Sequence, residues 1–193
     1  MFKKTIVTTL LSSAVLLADS GVGININEDD LEIEAVLDSR NLEALQTSST
    51  IYQADVNFLR ADTEKLIGLG IGATNNLEAA EGVEVTLGAK FIWAEVGSDD
   101  FSAMPLMAKV RYTFPPLEFG IPPISLEASG LYAPSALSFS DSESYSEYRI
   151  SGDIEVIENV KIYAGYRNIH TEYKGYSRDL FDTGYYAGLK ITY

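Results

Sequence analysis

Apolar and polar residues alternate along most of the chain. In "VEVTLGAKFIW", residues 83–93, the odd positions are apolar or small, whereas the even positions include Glu84 and Lys90. The segment "EYRISGDIEV", residues 147–156, repeats the same alternation. Because successive side chains of a β-strand point to opposite faces, a period of two predicts strands with one apolar and one polar face.

Ten segments carry this pattern, and from the third onward they are 9 to 12 residues long. That length matches the roughly 9 to 11 residues that a tilted strand needs to cross a bilayer, and it exceeds the roughly 5 to 6 typical of soluble sheets. The sequence therefore predicts an all-β fold, an antiparallel transmembrane β-barrel of ten strands. Eight strands are the alternative, because the first two segments are short. The segments are 21–27, 31–37, 50–60, 65–73, 83–94, 104–113, 123–132, 145–156, 160–169 and 184–193.

A soluble β-sandwich would also alternate, and it is the main competing fold. The length of the strands and the collection of aromatic residues at strand ends both favour the barrel. A basic side chain facing lipid at the bilayer midplane costs about 2 to 4 kcal/mol. Lys90, Arg149 and Arg167 are therefore predicted to face the lumen.

The connections between the last strands alternate in length. A short connection at 157–159 lies between longer ones at 133–144 and 170–183. Outer-membrane barrels have short periplasmic turns and longer outer loops, so this alternation predicts that both termini face the periplasm. The connections at 38–49 and 114–122 depart from the rule.

Aromatic residues on the apolar face are predicted to form two girdles at the membrane interfaces. The last strand is expected to pair with the first one, because lipid cannot solvate an open sheet edge. The residues expected near the outer interface are Phe58, Trp93, Tyr132, Tyr148, Tyr166 and Tyr185, and those expected near the periplasmic interface are Tyr52, Tyr112 and Tyr193.

The N-terminus has the features of a secretory signal peptide. Lys3 and Lys4 precede an apolar stretch at 6–18, and the small residues Ala18 and Ser20 fit a cleavage site. We therefore predict a cleaved signal peptide at 1–20 and a barrel at 21–193, with a buried N-terminal helix as the alternative. No later stretch reaches the 18 apolar residues of a spanning helix, so any membrane span is predicted to consist of strands.

Composition narrows the classes of partner. The formal net charge of -14 opposes nucleic-acid binding, although acidity in an exported chain is most often explained by solubility alone. Cysteine is absent, which excludes disulfides and thiolate metal sites.

The predicted location is the bacterial outer membrane. The expected partners are outer-membrane lipids, lipopolysaccharide and the barrel-insertion machinery, which would act through the C-terminal strand. We expect a monomer without a cofactor.

Three stretches resemble the YfaZ family of outer-membrane proteins: "ISLEASGLYAPSALSFSD", "YRISGDIEV" and "VKIYAGYRNI". The shared features are a long strand running into a Tyr-Ala-Pro-Ser loop, a later Gly-Tyr-Arg-Asn strand and an aromatic residue ending the last strand. The similarity covers about residues 31–193 and is clearest after residue 82. The resemblance implies an outer-membrane barrel without a settled biochemical activity, so it supplies no catalytic or binding residues.

His170 is the only histidine, at the outer end of the ninth predicted strand. Some interfacial lipid-modifying barrels use a histidine with a serine and a carboxylate, and this gives a distant enzymatic alternative. A lone histidine at a rim is more often solvated, so no residue is predicted to be catalytic. The candidate partners by loop position are Ser138, Ser140, Ser144 and Glu172.

Acidic clusters raise the question of calcium, but none has the spacing of an EF-hand loop, and no metal site is predicted. The clusters are Asp29 with Asp30, Asp99 with Asp100, and 140–144.

Charged residues on the polar faces predict a network inside the lumen. A tight turn at 157–159 would place Glu155 opposite Lys161, Asp153 opposite Tyr163 and Arg149 opposite Arg167. The two facing arginines then need acids from elsewhere, and Glu147 and Glu127 are the predicted suppliers. The predicted network comprises Glu127, Glu147, Arg149, Asp153, Glu155, Lys161 and Arg167.

Two functions compete on this basis. In the first, the chain is a closed structural or interaction barrel with surface loops; in the second, it is a narrow channel for ions or small solutes. A bore of ten strands is wider than one of eight, which side chains just fill. The mixed signs of the lumen charges favour the closed barrel, because a pore selective for one sign of ion tends to be lined by one type of charge.

Overall fold

The computed structural model describes residues 20–39, 50–61, 64–96, 99–115 and 122–192. Residues 1–19 of the predicted signal peptide and the terminal Tyr193 lie outside these ranges. No helix within them is long and apolar enough to span a membrane. The strands are β1 (Gly21–Ile26), β2 (Asp30–Asp38), β3 (Ile51–Ala61), β4 (Glu64–Asn76), β5 (Val83–Val96), β6 (Asp99–Ala103), β7 (Leu106–Thr113), β8 (Ile124–Ala133), β9 (Ser138–Ser140), β10 (Ser142–Ile157), β11 (Val160–Tyr173) and β12 (Tyr176–Thr192).

The strands close into an antiparallel barrel. The ring runs β1, β2, β3, β4, β5, β7, β8, β10, β11 and β12, and β12 pairs back onto β1 with Leu189 opposite Ile24. The predicted barrel of ten strands is confirmed, and the alternative of eight is wrong. Closure of the ring also excludes the β-sandwich, whose sheets keep open edges.

We call each of the ten positions in the ring a stave, and two of these staves consist of two shorter strands separated by a break. Both β6 and β7 pair with β5, so together they form one stave broken at Met104–Pro105. The next stave consists of β8 and β9, broken at Pro134 and the short 3-10 turn Ser135–Leu137. Proline has no N–H to donate to the ladder, which favours a break at these positions. The Met104 N–H donates to the Leu137 carbonyl at 2.8 Å and holds the two broken staves together.

The two ends of the barrel differ in how the strands are connected. We call the end that carries Gly21 and Thr192 the terminal end and the opposite one the distal end. A short turn joins β10 to β11 at the terminal end, as predicted. The predicted long loop at 170–183 is wrong, because β11 and β12 continue as a hairpin that turns at 174–175, where Gly175 has a φ of 105°. Likewise, the predicted loop at 133–144 contains β9.

The barrel exterior is apolar over a continuous band. Leu69, Leu87 and Ile150 are 56%, 63% and 59% exposed, and their side chains point away from the lumen. The outward apolar positions of β5 run from Val83 to Trp93, which at ~3.3 Å per residue is ~33 Å along the strand. A tilt of ~40° reduces this to a height of ~25 Å, the usual height of the lipid-facing band of such barrels.

Glycines leave room for the side chains that cross the lumen. A Cβ atom added to Gly68 would lie 2.2 Å from the Asn57 Oδ1 atom, and one added to Gly70 would lie 2.2 Å from the Asp55 Oδ1 atom. The glycines of β4 therefore serve close packing inside the barrel.

Candidate functional site: a layered lumen

The lumen has three layers between its two ends. A polar cavity, which we call the cup, lies at the terminal end. Above it is the charge layer, which comprises Asp30, Glu32, Glu147, Arg149 and Arg167. Above that, at the distal end, is the apolar cap, formed by Leu59, Leu66, Ile92, Ala94, Phe101, Ala103, Met107, Leu131, Ala133, Tyr145, Ile169 and Tyr173.

Glu32 of β2 is the centre of the charge layer. Arg149 of β10 binds it through two hydrogen bonds, from Nη1 at 2.7 Å and Nη2 at 3.0 Å. Arg167 of β11 donates to the same carboxylate from Nη1 at 2.8 Å. The amides of Asn25 and Asn57 donate at 3.0 and 2.8 Å. One carboxylate thus binds two arginines that reach across the lumen from other staves.

The remaining acids of the layer complete the arginine contacts. The Nη2 atom of Arg167 donates to Asp30 Oδ2 at 2.9 Å. Glu147 accepts hydrogen bonds from the Arg149 Nε atom and from the Tyr145 hydroxyl. Glu32 and Arg167 are each 1% exposed, so these two charges are shielded from water. Such pairs in a low-dielectric interior are strongly interdependent, because losing one partner leaves a buried charge.

The structure places the predicted lumen residues on inward-facing positions, with the predicted register. Arg149 lies opposite Arg167, and Glu155 lies opposite Lys161. Glu147 forms an ion pair with Arg149, as expected. Glu127 does not reach either arginine and pairs instead with Arg111 at 3.3 Å. The reason is register: Arg111 is the direct neighbour of Glu127 on β7, whereas Glu127 lies opposite Ser151, one inward position nearer the terminal end than Arg149.

Sequence reasoning missed Asp30 and Glu32 as partners of the arginines. The alternation of "DLEIEAVLD" indicated that both face inward, and that signal was available. However, 117 residues separate Glu32 from Arg149. The pairing depends on the closure of the ring, which brings β2 across from β10.

Further ion pairs line the described part of the lumen outside the charge layer. Lys90 and Asp55 lie 2.8 Å apart, and both side chains are 14% exposed. Nearer the terminal end, Arg111 donates to Asp153 at 2.6 Å as well as to Glu127. The lumen is thus lined by charges of both signs that are largely compensated by one another.

Among the described residues, the apolar cap fills the distal part of the lumen. Phe101 of β6 is fully buried, and its ring centroid lies 5.8 Å from that of Tyr145 and 5.6 Å from that of Tyr173. Leu59, Ile92 and the other residues of the cap surround these rings. Within the described residues, these side chains pack against one another on the distal side of the charge layer.

The cup has a volume of about 430 Å³. Its mouth lies at the terminal end, next to Asp38 and Thr192, and its floor contains Tyr163, Tyr186 and Arg149. Polar and charged side chains from nearly all staves line its wall, and the predicted network residues Glu127, Asp153, Glu155 and Lys161 are among them.

His170 points outward at the distal end. Its Nε2 atom is 3.9 Å from Glu172 Oε1, and the Ser144 hydroxyl donates to Glu172 Oε2 at 2.7 Å. In a hydrolase triad the histidine accepts the proton of the nucleophile, whereas here the carboxylate accepts the serine hydrogen bond. The Ser138 hydroxyl donates to the Pro134 carbonyl at 3.2 Å.

The predicted interface aromatics all occupy outward positions where the structure describes them. Trp93, Tyr132, Tyr148 and Tyr185 are 40%, 58%, 47% and 81% exposed. The ring of Tyr166 lies between those of Tyr148 and Tyr185, with centroids 6.1 and 5.3 Å apart. Their position at a membrane interface stays a prediction. The set also includes Phe58 and Tyr112; Tyr193 lies outside the described residues.

The acidic clusters that the sequence raised do not form a metal site among the described residues, where no group of three or more His, Asp and Glu side chains could hold an ion. Asp30 is instead bound to Arg167 in the charge layer.

Comparisons with known proteins agree with an exported chain. The profile of a family described as "YfaZ precursor" matches residues 6–193. A search of curated proteins finds no match. Among solved structures, the NanC porin is 8% identical with a TM-score of 0.45, over 91% of this chain and 98% of that chain. The outer membrane channel DcaP of Acinetobacter baumannii is 10% identical with a TM-score of 0.41, over 89% and 54%.

A bacterial polysaccharide outer membrane secretin is also similar, with 8% identity and a TM-score of 0.41 over 90% of this chain and 69% of that chain. Because these identities and TM-scores are low, the barrel architecture is established by the strand pairing of this chain and not by these similarities.

Proposed function

The chain belongs to the YfaZ family, as the match over residues 6–193 shows, and we propose that it functions as a closed barrel rather than an open pore. It is a β-barrel of the bacterial outer membrane, with an apolar exterior band and a polar lumen. The observation that carries the proposal is the double obstruction of the lumen by the charge layer and the apolar cap. A closed barrel of this kind offers its surface loops, its cup and its rim to partners.

The channel alternative requires both obstructions to move. Ions would need to pass Glu32 and Arg167, which are each 1% exposed, and then Phe101, which is fully buried. Because the arginines bind acids from several staves, no single side-chain rotation would clear the lumen. The closed barrel is therefore the better supported of the two functions.

Planar-bilayer conductance tests the proposal. We expect no current steps from the refolded mature protein. A variant with Arg149→Ala, Arg167→Ala and Phe101→Ala removes the large side chains of both obstructions, and we expect steps from it. Reproducible steps from the parent protein would refute the closed barrel.

A matched control keeps this test specific. Lys109→Ala with Lys161→Ala removes two charges of the cup and leaves both obstructions in place, so it should be as silent as the parent. The heat-dependent electrophoretic mobility of each variant reports whether the barrel has folded.

The chain is proposed to be non-enzymatic. The hydrogen bond from Ser144 to Glu172 does not give the order of groups that a serine hydrolase uses. Replacing His170 with alanine should leave lipid A and phospholipid profiles unchanged, and an altered profile would restore the enzymatic alternative.

The partners stay predictions: outer-membrane lipids, lipopolysaccharide, and the insertion machinery acting on β12. The protein is proposed to act as a monomer, which the mass of the purified barrel in detergent would test.

A further inference from the structure

The cup has the size of a site for a small organic ligand. Its volume of about 430 Å³ falls within the range of ~300 to 1,000 Å³ that is usual for such sites. Because the charge layer closes its floor, a solute that enters from the terminal end must leave by the same mouth. The cup therefore resembles a binding cavity more than part of a conduit.

Charges in the cup wall compensate one another. Arg111 contacts both Asp153, at 2.6 Å, and Glu127, at 3.3 Å, while the Lys190 Nζ atom is 4.0 Å from Glu34 Oε1. Acidic and basic side chains occur in nearly equal numbers around the wall. A ligand with one net charge would find as much repulsion as attraction, whereas a neutral ligand would find both donors and acceptors.

The floor of the cup contains two tyrosine rings. The rings of Tyr163 and Tyr186 meet edge to face, with centroids 6.2 Å apart. Glycines of neighbouring strands make space for them: a Cβ on Gly188 would lie 2.7 Å from the Tyr163 ring, and one on Gly165 would lie 2.7 Å from the Tyr186 hydroxyl. Aromatic carbon beside charged groups provides a contact for the C–H face of a ligand that is otherwise polar.

One amide in the cup has an unused acceptor. Asn25 is 2% exposed and lines the cavity. Its Nδ2 atom donates to Glu32 and to the Tyr163 hydroxyl, at 3.0 and 3.2 Å, while its Oδ1 atom has no hydrogen-bond partner among the described residues. A buried acceptor without a partner is costly, and a hydroxyl donor that reached it from the cup would satisfy it.

We propose that the cup binds a neutral, polyhydroxylated solute of about disaccharide size that enters from the terminal end. Hydroxyl groups donate and accept at once, so they match a wall of compensated charges without leaving a buried charge unpaired. The tyrosine floor contacts the carbon face of the sugar ring. This inference goes beyond closure of the barrel, because binding in the cup and conduction through the lumen are separate measurements.

Saturation-transfer NMR on the folded barrel in detergent tests the proposal with four probes. Maltose and N,N′-diacetylchitobiose are neutral; glucosamine and glucuronate carry one positive and one negative charge. We expect saturable transfer to at least one neutral disaccharide, and an affinity for either charged sugar at least tenfold lower. Absence of transfer to both neutral probes, or tighter binding of a charged one, would overturn the proposal.

Paired variants locate the site. Tyr186→Leu removes a ring from the floor and should weaken binding at least tenfold, while Tyr185→Leu on the outward face of the same strand, where the residue is 81% exposed, should leave binding unchanged. Equal effects of the two changes would contradict a site in the cup.

A second test does not depend on how Tyr186→Leu folds. The chain has no cysteine, so Ser151→Cys places a single thiol in the cup wall. Reaction of that thiol with a bulky maleimide should abolish binding, and unreacted Ser151→Cys should bind as the parent does. Retained binding after complete labelling would refute the location.

Discussion

The cup and the apolar cap are built from the same staves, yet their inward positions have opposite character. On β5 the inward residues change from Glu84 and Thr86 at the terminal end to Ile92 and Ala94 at the distal end. The backbone alternation is the same in both regions. The difference shows that strand geometry closes the barrel, while the choice of inward side chains decides where water enters it.

The exterior changes in the opposite sense. On β11 the outward residues Ile162 and Tyr166 are followed by His170 and Glu172, while the inward residues change from Lys161 to Ile169. On the terminal side of His170, the outward residues of β11 are apolar, as contact with lipid requires. On the distal side, the outward residues are polar and the inward ones are apolar, as contact with water requires. We infer that the cap projects beyond the bilayer.

Arg167→Ala should give the largest loss of stability, because it breaks the layer that separates the cup from the cap. Asp30 and Glu32 would each lose a charged partner in a region that is closed to water. Breaking a buried pair typically costs about 3 to 5 kcal/mol. Unfolding in urea, followed by tyrosine and tryptophan fluorescence, would measure the change.

A charge-balanced variant is the control for that prediction. Arg167→Met with Asp30→Asn removes both signs while Glu32 keeps Arg149 as its partner, so the double change should recover much of the lost stability. If the double change were as destabilising as Arg167→Ala, unpaired charge would not be the cause.

Phe101→Ala should destabilise the cap by about 3 kcal/mol, since truncating a buried aromatic residue leaves a cavity. Hydrogen exchange of the β6 amides would measure the opening of the cap. Phe139→Ala in the neighbouring β9 is the control, because Phe139 is 44% exposed and should cost well under about 1 kcal/mol. Equal exchange rates in the two variants would show that the cap is not a packed unit.

Gly188→Ala should cost about 2 kcal/mol and distort the wall of the cup. Its Cβ would lie 2.3 Å from the Ile24 carbonyl oxygen and 2.7 Å from the Tyr163 ring. Gly130→Ala is the matched control, since the nearest atom to its Cβ would be 3.9 Å away. Urea midpoints of the two variants should therefore differ clearly, and coinciding midpoints would contradict the close packing.

Lys65→Ala should have the smallest effect, below about 0.5 kcal/mol. Its ion pair with Glu95 spans 3.8 Å on the exterior, and the two side chains are 52% and 46% exposed. A loss comparable to that of Arg167→Ala would mean that burial is not what makes the charge layer important. The same urea titration measures both variants.

The fold was largely predictable because lipid imposes a strict alternation on every spanning strand. The outward set of β5, from Val83 to Trp93, follows from the sequence alone, as does the register of β10 and β11 through their tight turn. The distal parts of β11 and β12 were predicted as a loop. Outside the lipid, an outward residue such as His170 need not be apolar, so the signal for a strand disappears there.

The candidate site was less predictable than the fold. The sequence indicated that Arg149 and Arg167 face inward and require acids, but it could not identify Glu32 as the acid that binds both. That contact depends on the curvature of the closed ring and on small residues that leave the crossing side chains room. Local alternation contains neither kind of information.

The most direct test of the account is thiol accessibility in cells, with single cysteines at Ser151 in the cup and Glu172 on the distal exterior. A membrane-impermeant thiol reagent should label Glu172→Cys on intact cells and should label Ser151→Cys only after the outer membrane has been permeabilised. That result would establish a cup that opens to the periplasm and is closed to the outside. Labelling of Ser151→Cys on intact cells would contradict the closed lumen or its orientation.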